Sequence, residues 1–238
     1  SIGSWDQPGI IKSTGFEKYN FFMSVKSKIG EKLTVGGTVS GVDSKSTGFR
    51  GAGENLFNLF RVRPTWGVYT LDGTGHYSGK AFSGNDPQFP GFDEGFTRNN
   101  PIAELEVQDG ESLKQTNFNG NLFVDIDLSD NLVWSTKGAY KFDYDFYKFQ
   151  RMQYDEYNYR TGDYLRTTRD ISELTVDNIW TKQTTLFSTL TYSNLFGNHD
   201  VKLLGGYSQE GFNRNYTRSI RQGIPNRVIT DLAGVSAD

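Results

Sequence analysis

Apolar and polar residues alternate with a period of two along most of this chain. In residues 19–29 the odd positions are Tyr19, Phe21, Met23, Val25, Ser27 and Ile29, against Asn20, Ser24, Lys26 and Lys28, with Phe22 out of pattern. A second run sets Leu33, Val35, Gly37, Val39 and Gly41 against Thr34, Gly36, Thr38 and Ser40. The third sets Phe118, Gly120, Leu122, Val124 and Ile126 against Asn117, Asn119, Asn121, Asp125 and Asp127. The fourth carries Leu132, Trp134, Tyr140, Phe142 and Tyr144 opposite Ser135, Lys137, Lys141 and Asp143. Shorter runs follow at Leu186, Ser188, Leu190, Tyr192 and at Val201, Leu203, Gly205, Tyr207. Each predicts a strand with one apolar face.

Register arithmetic predicts that these strands pair as hairpins. A turn at Gly30-Glu31-Lys32 sets Ile29 opposite Leu33 and Met23 opposite Val39. A turn at Ser129-Asp130-Asn131 sets Leu128 opposite Leu132, hence Ile126 with Trp134 and Gly120 with Tyr140. A turn at Gly197-Asn198-His199-Asp200 sets Phe196 opposite Val201 and Tyr192 opposite Gly205. The apolar faces coincide in all three, and a one-residue slip would separate them. Tyr140 over Gly120 and Tyr192 over Gly205 are the expected ring-over-glycine pairs of a curved sheet. Phe21, Val25, Leu122, Val124, Ile126, Trp134, Leu190, Leu203 and Tyr207 are therefore expected on one face. Asn121, Asp125, Lys137, Lys141 and Lys202 belong on the other.

Connections within hairpins are short, whereas those between hairpins, near 43–116 and 146–181, are long. Short turns at one end of a sheet and long loops at the other are the habit of outer-membrane barrels, and strands of about 11 residues suffice to cross a bilayer obliquely. The fold class predicted is all-β, with antiparallel up-and-down hairpins forming part of a large transmembrane β-barrel. Inside the first long connection, Leu56, Phe57, Leu59 and Phe60 suggest a short helix ended by Pro64, and Leu71-Asp72-Gly73 a turn. Residues 102–113 carry no period that assigns an element.

Composition narrows the function. The 238 residues carry 25 Lys+Arg and 28 Asp+Glu, a balance that offers no long-range field for nucleic acid. The mean hydropathy of −0.58 reflects the absence of any apolar run long enough for a membrane helix. A barrel keeps a polar average, because only every second residue faces lipid. The chain has no Cys, which removes disulfides and thiolate chemistry. Its two histidines, His76 and His199, read as ordinary polar residues with no second ligand for a metal. Asp125, Asp127 and Asp130 lack the glycine and glutamate of a calcium loop. Gly48 to Gly53 lacks a phosphate-binding lysine. No arrangement of nucleophile and base is present, so neither an enzyme nor a cofactor is expected.

The unusual component is aromatic: 18 Phe, 13 Tyr and 4 Trp. Tyr140, Phe142 and Tyr144 lie on the apolar face, as an interfacial girdle would. Rings beyond Phe146, including Tyr154 and Tyr157, suit either a stacking platform for ligand or packing among loops. Arg61, Arg63, Trp66, Tyr69 and Asp72 in the first long connection suit packing among the loops or, alternatively, a candidate ligand rim. A soluble β-sandwich that binds carbohydrate and a passive porin share parts of this pattern, but a sandwich usually has Greek-key crossings.

Several pieces in sequence order resemble the SusC/RagA-like TonB-dependent transporters of Bacteroidetes outer membranes. They are Gly9-Ile-Ile-Lys-Ser-Thr-Gly-Phe-Glu-Lys-Tyr-Asn20, Asn58-Leu-Phe-Arg-Val-Arg-Pro-Thr-Trp-Gly-Val-Tyr69 with Asp72-Gly73, Asn100-Pro101-Ile102-Ala103, and the strands at 117–144 and 184–210. The resemblance implies that residues 1–238 are one segment of a receptor barrel, about six strands with long extracellular loops, and that the plug domain lies outside this chain. It implies location in the cell outer membrane against lipid, and import of oligosaccharide or peptide without chemistry. A SusD/RagB-like lipoprotein would serve as lid, and the TonB complex would act through parts not in this chain. Ligand contacts would fall on the loop residues Arg61, Arg63, Trp66, Tyr69, Asp72, Tyr154 and Tyr157.

Overall fold

Seven antiparallel strands form one sheet in the computed structural model, which describes residues 1–11, 13–48, 67–79, 99–107, 111–226 and 232. In chain order the elements are β1 (Ile2–Pro8), β2 (Gly15–Ile29), β3 (Leu33–Thr47), β4 (Ser78–Gly79) and α1 (Pro101–Val107). They continue with β5 (Ser112–Ser129), β6 (Leu132–Arg151), β7 (Asp155–Asn158), β8 (Tyr164–Thr167), β9 (Glu173–Phe196) and β10 (His199–Gln222). The large sheet runs β1-β2-β3-β5-β6-β9-β10 and a small one runs β4-β7-β8. Every neighbour in the large sheet is next in sequence apart from the loop elements, so the topology is up-and-down throughout.

The expected facing holds across the sheet. Val25 pairs with Gly37, Gly37 with Leu122, Leu122 with Gly138 and Gly138 with Leu186. Since directly opposed residues share a face, the nine apolar residues named above lie on one side and Asn121, Asp125, Lys137, Lys141 and Lys202 on the other. Ile126 pairs with Trp134, and Trp134 with Leu190. On β2 the apolar face extends from Tyr19 to Ile29, which at ~3.4 Å per residue and a ~45° tilt is a band about 25 Å tall. That is the height a barrel presents to lipid.

The register also contains the tilt. The row that ends β2 at Ile29 passes through Leu33, Ile126 and Trp134 to Leu190, yet β9 continues to Phe196 before it turns. The turns thus drift about six residues over about four strand spacings, a slope near 45° at ~3.4 Å and ~4.8 Å per step. Placing all three turns in one plane requires the strands to lean by that angle, as they do in barrels.

Two turns differ from the sequence expectation. Ser129, not Leu128, pairs with Leu132; the ladder shifts between Asp127 and Ser129, so Leu128 is an extra bulged residue and the turn is Asp130-Asn131. Phe196 pairs with His199, so the last turn is Gly197-Asn198, and Tyr192 opposes Leu203 while Gly205 opposes Leu190. This displacement of two residues keeps every side chain on its face, which is why alternation could not detect it. Gly197 has φ 61°, the conformation that a two-residue hairpin turn asks of its first central residue.

Tyr140 opposes Gly120 as expected, but the ring-over-glycine contacts fall elsewhere. A Cβ on Gly41 would lie 2.3 Å from the Phe21 ring and one on Gly36 would lie 2.6 Å from Phe123. Gly205 has open space, and the ring nearest to Gly120 is that of Phe118. β1 is a strand the alternation did not predict, so the sheet has seven strands rather than about six. The wall is longer than expected too: β6 reaches Arg151 and β9 begins at Glu173, within what read as loop. At ~3.4 Å per residue and the same tilt, the 24-residue strands β9 and β10 are about 55 Å tall, roughly twice the apolar band. The sheet therefore stands well above the band on the side of the long connections. There Met152, Leu174, Val176 and Ile224 form a buried apolar cluster, joined by Val107, Phe146 and Leu232.

Candidate functional site

The described parts of the long connections fold into a module of short elements on top of this wall. A hairpin starts it: Thr70 N–H donates to His76 C=O at 3.0 Å, Ser78 N–H to Val68 C=O at 2.9 Å, and Tyr69 bridges Tyr77. Asp72 closes its turn. Its Oδ1 accepts from Thr70 Oγ1 at 2.6 Å, Thr74 Oγ1 at 2.7 Å and Thr74 N–H at 3.1 Å. Those donors, the Thr70 hydroxyl first, hold the carboxyl down to a pKa of about 2. Gly73 and Gly75 take the left-handed conformation that the tight bend demands (φ 77° and 75°).

The second connection adds its strand to the first. Ser78–Gly79 lies parallel to Tyr157–Asn158, with Tyr157 N–H donating to Tyr77 C=O at 3.0 Å, and β8 completes the small sheet. Asn100 fastens α1 to it. As N-cap, its Oδ1 accepts from Ile102 and Ala103 N–H at 3.1 and 3.3 Å, with Pro101 at the first helical position. Its Nδ2 donates to Val68 C=O at 2.8 Å and Ser78 C=O at 3.0 Å, and its own N–H donates to Glu156 Oε1 at 2.8 Å. Glu156 is buried, and its other oxygen takes Arg166 Nε and Nη2, each at 2.9 Å. Arg166 reaches on to Asn99 Oδ1 at 3.0 Å. A buried carboxylate is tolerated here because each oxygen is bonded, one of them to a cation.

The helix carboxylates receive the phenols. Tyr69 and Tyr77 hydroxyls both donate to Glu106 Oε2, at 3.1 and 3.0 Å. Tyr154 donates to Glu104 Oε1 at 3.3 Å; burial first, then the Glu104 charge, pushes its pKa far above the ordinary phenol value. Arg169 pairs with the other Glu104 oxygen at 3.5 Å. The rings form two arrays. Tyr69 stacks on Tyr77, which meets Tyr154 edge-on, with both centroid pairs 5.6 Å apart. His76 stacks on Tyr157 at 4.1 Å, and Tyr157 meets Tyr164 edge-on at 5.9 Å. Tyr69, His76 and Tyr164 leave ring surface exposed. Chemically the module offers flat π surfaces beside fixed carboxylates and guanidinium groups, which suits stacking and hydrogen bonding. Among the described residues no three His, Cys, Asp or Glu side chains converge as a metal site.

Of the residues singled out from sequence, Tyr69, Asp72, Tyr154 and Tyr157 meet in this one module. Asp72 belongs to the turn, Tyr154 is mostly buried and Tyr69 is half exposed. Arg61, Arg63, Trp66 and the helix expected near Leu56 lie outside the described residues. Sequence reading did not single out Tyr77, Tyr164, Glu104, Glu106, Glu156 or Arg166 for the site. Asn100 before Pro101 is a helix-start signal that could have marked where α1 begins, but it was not read as one.

An open, up-and-down sheet with an apolar band, strands leaning near 45° and folded connections at one end defines a length of wall from a large β-barrel. No family model matches the sequence. It is 28% identical over 231 residues to TonB-dependent receptor P26 of Formosa agariphila, covering 95% of this chain and 21% of that receptor. It is 25% identical over 236 residues to TonB-dependent receptor P3 of the same organism, covering 93% and 21%. The chain thus spans about a fifth of the length of these relatives. In fold it superposes over its whole length on 25% of a chain of the RagAB peptide importer in the closed-closed state, with TM-score 0.65 and 15% identity. For the RagAB peptide transporter the TM-score is 0.67 at 17% identity, with the same coverage. Sequence and fold thus agree: along nearly its whole length the chain is similar to one stretch of a SusC/RagA-like TonB-dependent transporter barrel.

Proposed function

We propose that this chain is part of the wall and extracellular crown of an outer-membrane active importer that takes up oligosaccharide or peptide. A SusD/RagB-like lipoprotein serves as its lid, and the TonB complex supplies energy through parts outside this chain. Import is binding followed by translocation, with no covalent bond made or broken. The observation that carries the reading is the division of the molecule along the strand axis. An apolar band about 25 Å tall is followed by sheet wall and then by a folded module rich in rings and carboxylates. The similarity to TonB-dependent receptors over 95% and 93% of the chain supports active import over a passive porin.

Cargo and lid contacts belong to the long connections, since a two- or three-residue turn is fully spent on closing its hairpin. The candidate contacts are Tyr69, Asp72, Tyr154 and Tyr157 together with Arg61, Arg63 and Trp66. The test is uptake by cells expressing the whole transporter. Replacing Trp66 and Tyr69 with Ala, or deleting within 74–96, is expected to lower uptake or lid binding while the barrel still assembles. Replacing Glu31 or Asp130 in the tight turns is expected to change neither. Dead turn variants beside normal loop variants would reverse the proposed orientation.

A further inference from the structure

Just beyond the apolar band, on its own face, two lysines stand directly opposite each other: Lys45 of β3 and Lys114 of β5. Like charges so placed repel, and neither lysine closes an ion pair among the described residues. Two acids are close on the same face. Glu17 opposes Lys45 across β2, and Asp43, which accepts from Thr116 Oγ1 at 2.7 Å, sits two residues along β3. The lysines lie in the row of Glu17, two residues past the Tyr19 that ends the apolar band on β2, a rise of about 5 Å at ~3.4 Å per residue and ~45° tilt. That is headgroup depth, with long stems to reach it.

A groove opens beside them, one row nearer the band, and runs across β1, β2, β3 and β5. It holds about 420 Å³ and is lined by Tyr19, Phe21, Gly41 and Phe118, with Asp43 and Thr116 at the end toward the lysines. The Phe21 ring lies flat over Gly41, in the space a side chain there would take, and so forms part of the groove floor. Cationic heads above and an aromatic-walled apolar trough below match one kind of occupant. We propose that this face holds a phosphate-bearing lipid of the outer leaflet, its phosphate on Lys45 and Lys114 and an acyl chain in the groove.

The assignment rests on the outer-membrane reading above, and the experiment separates the two. The whole transporter is purified in detergent and exposed to micelles containing dioleoyl phosphatidic acid or dioleoylglycerol, which have the same chains with and without phosphate. Native mass spectrometry then counts retained lipid. We expect phosphatidic acid to be held in preference to dioleoylglycerol, and retention to fall about 30-fold when Lys45→Gln and Lys114→Gln are combined. The double Lys→Arg variant should restore it. Thr116→Trp, which fills the groove and keeps both lysines, should also lower it. Equal retention by wild type and the double Gln variant, or equal retention of the two lipids, overturns the site while the protein still requires detergent. A whole protein that is monodisperse without detergent overturns both readings.

Discussion

Asn100 makes six hydrogen bonds from one residue: two accepted by its side chain as helix cap, one accepted by its C=O from Glu104 N–H, two donated to carbonyls of the first connection and one from its N–H to Glu156. Asn100→Ala removes a cap worth about 1 kcal/mol and takes the side-chain donor from the Ser78 and Val68 carbonyls, the second of which keeps the Ser78 N–H. We expect faster hydrogen exchange across 68–79 and 101–107 with the barrel strands unchanged. Asp72 gives a pH dependence whose sign follows from its lowered pKa. Its bonds are fully present above the ordinary value of 3.8 and are lost as pH falls toward about 2. Protection of the amides within 70–76, taken as exchange relative to the intrinsic rate at each pH, should therefore be flat through neutral pH and fall only in that acid window. Asp72→Asn should remove the dependence.

At the level of elements the strands obey period two, and the faces are not equivalent. Leu122 sits in the middle of the apolar band on β5, whereas Ala139 faces the polar side at similar depth on β6, opposite Asn121. Leu122→Lys is expected to cost about 2–4 kcal/mol, the range measured for a cation on the lipid side at mid-membrane. Ala139→Lys is expected to be nearly neutral. Folding into lipid vesicles, followed by the heat-dependent gel shift of a closed barrel, compares them. Equal losses in both would contradict the facing.

For the whole molecule the open edges matter. Among the described residues β1 and β10 each have one neighbour, and Leu203, Leu204, Tyr207 and Phe212 of β10 are exposed. An uncovered edge and an uncovered apolar face both invite aggregation. Residues 1–238 expressed alone should not give a stable soluble monomer. Sedimentation without detergent checks this, and a sharp monomer with cooperative melting would favour a soluble sandwich. The tall strands above the band also matter for function, because they lift the folded module clear of the membrane surface.

Within the runs that alternate, the face each strand residue takes was readable in the sequence, because lipid on one side and water on the other leave period two no freedom. Ile126 with Trp134 and Met23 with Val39 were recovered for the same reason. Registers that differ by two residues satisfy that pattern equally, so the choice at Gly197 was left to the turn, and the extra residue Leu128 to a bulge. Alternation was silent about the upper wall, since strands there are covered by loops rather than by lipid and need no uniform face. The loop module depended on tertiary structure altogether. It joins Ser78–Gly79 to Tyr157–Asn158, strands of two and four residues that are far apart in sequence and too short to show a period. What brings Tyr69, Asp72, Tyr154 and Tyr157 together is the buried Glu156 with its bonds to Asn100 and Arg166, a long-range network that local pattern does not encode.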